Sequence, residues 1–343
     1  MRSRVIGGEY ELSSVPEKAM LIEKYYKYAS GRAALYQILM SIKLTTFKVW
    51  LPDWLCESMI DAVRKSGIAY SFYHLGKNLR MDVKKFVEEN KPISENDAIV
   101  LVNYFGQVDV EQTIQQLRDK KVFSVIIEDD VQALFSFLDG KPHAADYRFT
   151  SLRKSIAAPD GGLVWTKHPM PVVSKENTFA PVKLKGALIK GGSKESDPDE
   201  AYLKCFEEGE ELIEENYESV MSRESQSIFA GTNLEEVAQC RRRNARYLIK
   251  ELQMVGIEPL LPLRDDCVPL FVPIAINDRD DLRRTLRQHA IFCPVHWPLR
   301  EDMKQLETGA FMVEHELSLV IDQRYMLEDM QCMMDLIKDW ICK

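Results

Sequence analysis

The sequence predicts an α/β protein: a doubly wound, mostly parallel sheet followed by a smaller α+β unit. Three observations carry this. Strand-like apolar runs alternate with helical periodicity from Phe47 to Lys120. The runs AIVLVNYF (98–105) and VFSVII (122–127) are apolar but for Asn103 and Ser124, as in strands buried on both faces. The chain has 343 residues, too many for one ordinary core and comfortable for two domains.

Residues 1–28 read as an irregular lead-in with an aromatic cluster, Tyr25-Tyr26-Tyr28. Ser30 and Gly31 then stand at an N-cap position, and Leu35, Ile38, Leu39 and Ile42 follow the spacing of an amphipathic helix. Free N–H groups at the positive end of such a helix make a phosphate site, although an ordinary capped helix is the commoner meaning of this pattern. Strands over Phe47–Leu51 and Ile68–Leu75 and helices over Leu55–Lys65, Asp82–Asn90 and Val110–Lys120 complete the alternation. Residues 167–200, rich in Pro, Gly, Lys, Ser and Asp, read as a long connection of the kind that forms lids. Helices Asp199–Glu218 and Leu234–Met254 follow. Beyond them come strand Pro269–Ile276, helix Arg279–His289, segment Ile291–Pro298, strand Leu317–Ile321 and helix Leu327–Trp340. The division expected is a large domain over 1–245 and a small one over 246–343.

Composition narrows the function. A net charge of −8 argues against nucleic acid as a partner. Arg241-Arg242-Arg243, flanked by Glu235, Glu236 and Glu251, reads as a solvated or interface helix face. The seven cysteines contain no C-x-x-C and read as reduced thiols. With no apolar leader and no membrane-length run, a cytoplasmic location is expected. Glycine fingerprints for dinucleotides or NTPs are missing, as is a G-x-S-x-G elbow. No histidine has metal-ligand spacing, so no metal is expected.

The chemistry concentrates in Val122–Thr166, where an apolar strand stops on Glu128-Asp129-Asp130 and a lysine, Lys154, follows in the next connection. Carboxylates at the carboxyl ends of parallel strands sit where open α/β sheets bind ligands. Singly, an acidic strand end and a loop lysine are most often solvated charges.

As an ordered set, several stretches resemble the DegT/DnrJ-type sugar aminotransferases, fold-type-I enzymes dependent on pyridoxal 5'-phosphate (PLP). Ser30-Gly31-Arg32-Ala33-Ala34-Leu35 is similar to the family's phosphate-binding helix start. Val102-Asn103-Tyr104-Phe105-Gly106-Gln107 is similar to its aromatic-Gly-Gln strand end. Ile127-Glu128-Asp129-Asp130-Val131-Gln132-Ala133 is similar to Ile-Glu-Asp-Ala-Ala-Gln-Ala, and Ser151-Leu152-Arg153-Lys154 with Gly161-Gly162 to its Ser…Lys…Gly-Gly. Pro294-Val295-His296-Trp297-Pro298 is similar to a small-domain segment near the active site.

The resemblance implies a mostly parallel seven-stranded sheet, PLP as cofactor, and ping-pong transamination of a keto-sugar nucleotide or related carbohydrate precursor, with glutamate or glutamine as donor. That chemistry serves amino sugar or polysaccharide biosynthesis. It further implies Lys154 as the Schiff-base lysine and Asp129 as partner of the pyridinium nitrogen. Gln132 faces the ring's oxygen side. Ser30, the backbone N–H groups of Gly31 and Arg32, and the hydroxyl of Thr150 or Ser151 hold the phosphate. Arg153 is either an electrostatic neighbour of Lys154 or a solvent-facing charge. His296 is a substrate contact or a structural residue, with equal weight. A dehydrating relative replaces the lysine by histidine; Lys154 argues against that version.

Three departures stand out. The Ser151–Lys154 spacing is shorter than usual. The aromatic residue that stacks on the ring aligns without gaps at Cys56, with Trp54 two residues earlier and chemically the better candidate. The Gly-Tyr-Asn segment that reaches the neighbouring subunit of a homodimer is not recognisable; Glu218–Asn233 occupies its region, with Ser222 and Arg223 as candidate substitutes. These departures motivate a second hypothesis, a PLP-fold protein that binds without turnover.

Overall fold

The computed structural model describes residues 5–16, 24–192, 198–298 and 307–342. The chain begins with β1 (Ile6–Gly7) and β2 (Tyr26–Tyr28). It then alternates through α1 (Gly31–Ile42), β3 (Lys48–Pro52), α2 (Glu57–Ser66), β4 (Ala69–Tyr73), α3 (Val83–Glu89), β5 (Ala98–Val102), α4 (Glu111–Lys120) and β6 (Val125–Asp129). Helix α5 (Leu134–Leu138) leads to β7 (Tyr147–Ser151) and β8 (Gly162–Thr166).

These strands form a seven-stranded sheet in the order β2-β8-β7-β6-β5-β3-β4. Strands β3 to β7 run parallel, while β8 lies antiparallel between β7 and β2. The doubly wound reading therefore holds. Residues 1–28 read as an irregular lead-in, yet Tyr26–Tyr28 is an edge strand of the sheet and Ile6 belongs to another core. Residues 17–23 and 193–197 of the two predicted connections lie outside the described residues.

The 167–200 segment is the main correction. Helix α6 (Phe179–Gly192) occupies much of it, packed on α7 (Pro198–Ile213). Its lid-like composition is a close-packing device: a Cβ at Gly186 would lie 3.0 Å from Cys205 Cβ, and one at Gly209 would press on the Lys183 stem. Pro181 stands in the first turn of α6, where its missing N–H breaks no helical bond.

Helices α8 (Arg223–Gly231) and α9 (Leu234–Met254) lead to the smaller unit: β9 (Phe271–Ala275), α10 (Arg279–Gln288), β10 (Ile291–Phe292), α11 (Glu307–His315), β11 (Glu316–Val320) and α12 (Leu327–Ile341). Its core joins Ala245, Leu248 and Leu252 of α9 to Val272, Leu319, Met333 and Ile337, and also to Ile6, because β1 pairs parallel with β10. Strand β11 pairs antiparallel with β9.

The arginine cluster of α9 is only partly solvated: Arg243 is exposed, Arg242 is half-buried and Arg241 is buried. Arg241 is 1% exposed and donates to the carbonyls of Pro269, Leu270 and Ser155 and to the Tyr10 hydroxyl. Arg242 and Arg243 donate to the carbonyls of Cys267 and Tyr325. Among the described residues no helix is long and apolar enough to cross a membrane, and no group of His, Cys, Asp and Glu is arranged to hold a metal.

Candidate active site

Side chains alternate along β6, and the alternation sorts its three acids. Glu128 and Asp130 face one side and grip Arg148 of β7, at 2.9 and 2.6 Å. Asp129 faces the other side, into a cavity of about 320 Å³. Its register neighbours, Val102 on β5 and Phe149 on β7, line the same cavity.

Asp129 Oδ1 accepts the Val131 N–H at 2.8 Å, and Oδ2 has no partner among the described residues. Burial pushes its carboxyl up to about 7; the Val131 N–H opposes the shift and the Glu128 charge adds to it. Asp129 is thus a buried acid facing the cavity, with no cation paired to it among the described residues.

The same alternation decides between the two hydroxyls. Thr150 shares the Arg148 side of β7, is fully buried, and donates its Oγ1 proton to Asp130 O at 2.7 Å. The phosphate role assigned to Thr150 is therefore not supported, because the hydroxyl points away from the cavity. Ser151 lines the cavity. After it the chain turns through a short 3-10 segment, Leu152–Lys154, anchored by Leu152 N donating to Gly161 O at 2.9 Å. That turn brings Lys154 to the cavity, exposed and without an ion pair among the described residues. The short Ser151–Lys154 spacing thus still delivers both residues.

The amino end of α1 closes this side. Ser30 caps it, its Oγ accepting Ala33 N at 3.1 Å. The cap leaves the first-turn N–H groups of Gly31 and Arg32 free of helical partners. A Cβ at Gly31 would lie 3.0 Å from Val131 Cγ2 and 3.2 Å from Ser151 Cβ, so only glycine lets the helix end approach the strand ends so closely. Gly162 does the same from β8: a Cβ there would overlap the Ser30 carbonyl.

The Arg32 side chain is a further candidate that sequence reasoning missed, having named only its backbone. It lines the cavity, Glu214 Oε1 stands 3.7 Å from its Nη1, the Tyr217 hydroxyl also faces the guanidinium, and its buried Nε and Nη1 have no hydrogen-bond partner among the described residues. A guanidinium left under-bonded beside a helix amino end fits an anion.

Gln132 lines the cavity and accepts the Phe105 N–H through Oε1 at 3.0 Å. It thereby holds the turn after β5, where Phe105 adopts φ 55° and Gly106 φ 70°. His296 and Trp297 complete the wall from the smaller unit.

Trp54 is corrected. It is 1% exposed, stacked on Tyr104 at 5.2 Å, and does not line the cavity. Cys56, with Leu55 and Met59, takes that wall. Arg153 does not point freely into solvent: it pairs at 2.7 Å with Glu210 of α7, which also binds Lys183 at 2.5 Å. Burial pushes the Glu210 carboxyl up, but these two cations together hold it well below the usual range. Ser222, a candidate for the cross-subunit segment, is committed within the chain, capping α8 and donating to Asp160 Oδ1 at 2.5 Å. A larger open groove of about 830 Å³ beside β2 contains none of the cofactor candidates; chemistry rather than volume marks the site.

No family model and no curated protein matches the chain. Solved structures do match. A DegT DnrJ EryC1 StrS aminotransferase from Brucella abortus is 18% identical with a TM-score of 0.65, over 92% of this chain and 85% of that one. The PLP form of the sugar aminotransferase Spr1654 from Streptococcus pneumoniae is 16% identical with a TM-score of 0.65, over 91% and 86%. DesI, solved in the presence of its TDP-sugar product, is 17% identical with a TM-score of 0.61, over 91% and 79%. The chain therefore has the fold-type-I architecture of the sugar aminotransferases.

Proposed function

We propose that this chain is a PLP-dependent aminotransferase that converts a keto-sugar nucleotide or a related carbohydrate precursor to an amino sugar, with glutamate or glutamine as donor. One observation carries the reading. A buried acid and a lysine, Asp129 and Lys154, neither with an ion-pair partner among the described residues, share one cavity at the amino end of α1. The similar PLP-form and TDP-sugar structures support the cofactor and the substrate class by analogy of fold.

PLP supplies an electron sink for carbon–hydrogen bond cleavage next to an amine. The residues present fit that group. Gly31 and Arg32 N–H, the Arg32 guanidinium and Ser151 Oγ would hold its phosphate. Asp129 Oδ2 would accept a hydrogen bond from the protonated ring nitrogen, and that charge pair would offset the desolvation that raises the carboxyl in the ligand-free chain. Lys154 Nζ is the amine that would hold the cofactor, and as a free amine it would be the base that moves a proton on the substrate. Gln132 keeps Phe105 and its turn in place along the wall. A homodimer in the cytoplasm, serving polysaccharide or other amino sugar synthesis, belongs to this reading; the free cysteines agree with a reducing compartment.

Purified protein mixed with PLP is expected to gain visible absorbance that glutamate or glutamine changes. Borohydride reduction and peptide mapping should find the cofactor on Lys154, and Lys154→Ala should lose the absorbance. Colour retained in Lys154→Ala overturns the lysine assignment. Absorbance in wild type that no amino donor alters turns the reading to binding without turnover.

A further inference from the structure

The wall that the smaller unit contributes is held by a buried carboxylate that the reaction scheme above does not use. Glu316 and Ser318 lie two residues apart on β11, and both are fully buried. Glu316 Oε2 accepts the backbone N–H of His296 at 2.8 Å. Glu316 Oε1 accepts the Ser318 hydroxyl proton at 2.5 Å. Ser318 Oγ stands 3.2 Å from His296 Nδ1, and Glu316 Oε1 is itself 3.6 Å from that nitrogen. The imidazole is packed against Phe105, Phe271 and Trp297, with ring centroids 5.5, 5.5 and 5.0 Å away.

Counting protons settles the direction of this chain. A serine hydroxyl has a single proton. At 2.5 Å that proton goes to Glu316, so Ser318 Oγ offers a lone pair to Nδ1. The imidazole must then carry a proton on Nδ1, and in the neutral ring Nε2 is left as an acceptor. Nε2 has no partner among the described residues, and the ring lines the cavity.

We propose that Glu316 and Ser318 are positioning residues that lock His296 in its Nδ1–H form, so that Nε2 accepts a hydrogen bond from a hydroxyl of the bound sugar. The acceptor role rests on the carbohydrate reading above; the locked tautomer does not. Two features beyond the hydrogen bonds make the lock stiff. Strand β11 is paired along its whole length with β9, and one carboxylate fixes both the backbone and the ring of His296.

The tautomer is read in ligand-free protein by long-range proton–nitrogen correlation on 15N-histidine-labelled samples, above the ordinary imidazole titration range. The His296 signals are identified by their loss in His296→Gln. Wild type and Ser318→Thr are expected to show the Nδ1–H pattern and Ser318→Ala the Nε2–H pattern. An Nε2–H pattern in wild type, or no change in Ser318→Ala, overturns the lock.

The acceptor role is read with thymidine-diphosphate hexoses in which each ring hydroxyl is replaced in turn by hydrogen. One analogue is expected to bind wild type about tenfold more weakly than its parent, as for one lost hydrogen bond, and His296→Phe is expected to abolish that difference. Equal discrimination in the two proteins overturns the acceptor role. No binding of any hexose to wild type overturns the carbohydrate reading and the acceptor role together, while the tautomer measurement still decides the lock.

Discussion

Asp129 is held near neutrality by burial, and in the ligand-free chain this has a measurable cost. Its carboxyl is raised to about 7 in the folded protein, whereas an unfolded chain releases that proton near pH 4. Between these values the folded state binds more protons than the unfolded one, so this group lowers stability as pH rises from about 4 to about 7, and the loss levels off above. A shift of that size corresponds to roughly 4 kcal/mol. Asp129→Asn is therefore expected to match wild type near pH 4 and to exceed it increasingly towards pH 8 in urea unfolding of apoprotein. A difference that does not vary with pH would contradict this. The same variant is expected to hold PLP poorly, since the ring nitrogen loses its acid. The motif pointed to Asp129, but the choice against Glu128 and Asp130 became physical only once Arg148 was found gripping the other two. Thr150 and Ser151 show the converse: as neighbouring hydroxyls they are indistinguishable in sequence, and the face of β7 separates them.

At the scale of elements, the approach of α1 to the sheet depends on missing side chains. Gly162 touches the Ser30 carbonyl and Gly31 touches Val131 and Ser151. Gly162→Ala must displace backbone rather than a flexible side chain, so a loss on the order of 3 kcal/mol is expected by thermal or urea unfolding. PLP affinity should fall with it, because the helix end moves off the strand ends; an unchanged affinity would separate the two. The glycine pair was legible as a motif. Helix α6 was not, because Gly, Lys and Pro signal loops locally, while Gly186 and Gly209 here serve the contact with α7. Glu210, which reaches Arg153 from α7, had no signal at all in a charged helix.

For the whole molecule, the site exists where the two units meet, and Arg241 joins them. It is buried, and its guanidinium satisfies carbonyls of the segment leading into β9 and of the Lys154 turn, together with Tyr10 near the start of the chain. A second tie runs from Phe105 O, which accepts Leu270 N at 2.8 Å, and from Gln107 Nε2, which donates to Phe271 O at 3.2 Å. Arg241→Ala strands several buried acceptors at about 1–3 kcal/mol each. A loss on the order of 4 kcal/mol is expected, with intrinsic tryptophan fluorescence and far-ultraviolet circular dichroism no longer giving coincident unfolding curves. Coincident curves at an unchanged midpoint would show that the units are coupled elsewhere.

The strand and helix order from α1 to β6, the acid-ending strand, the loop lysine and the capped glycine turn were readable from sequence. Each is a local pattern, fixed by side-chain periodicity or by the backbone needs of a turn. The tertiary structure decided what depends on facing. It sent Trp54 into the core beneath Tyr104 and left Cys56 on the wall. It brought the guanidinium of Arg32 to the cavity, folded much of the apparent lid into helix α6 packed on α7, and set Glu316 behind His296 across twenty residues of chain. Burial and partnership between distant segments are properties of packing, and a one-dimensional pattern carries no distance between residues so far apart.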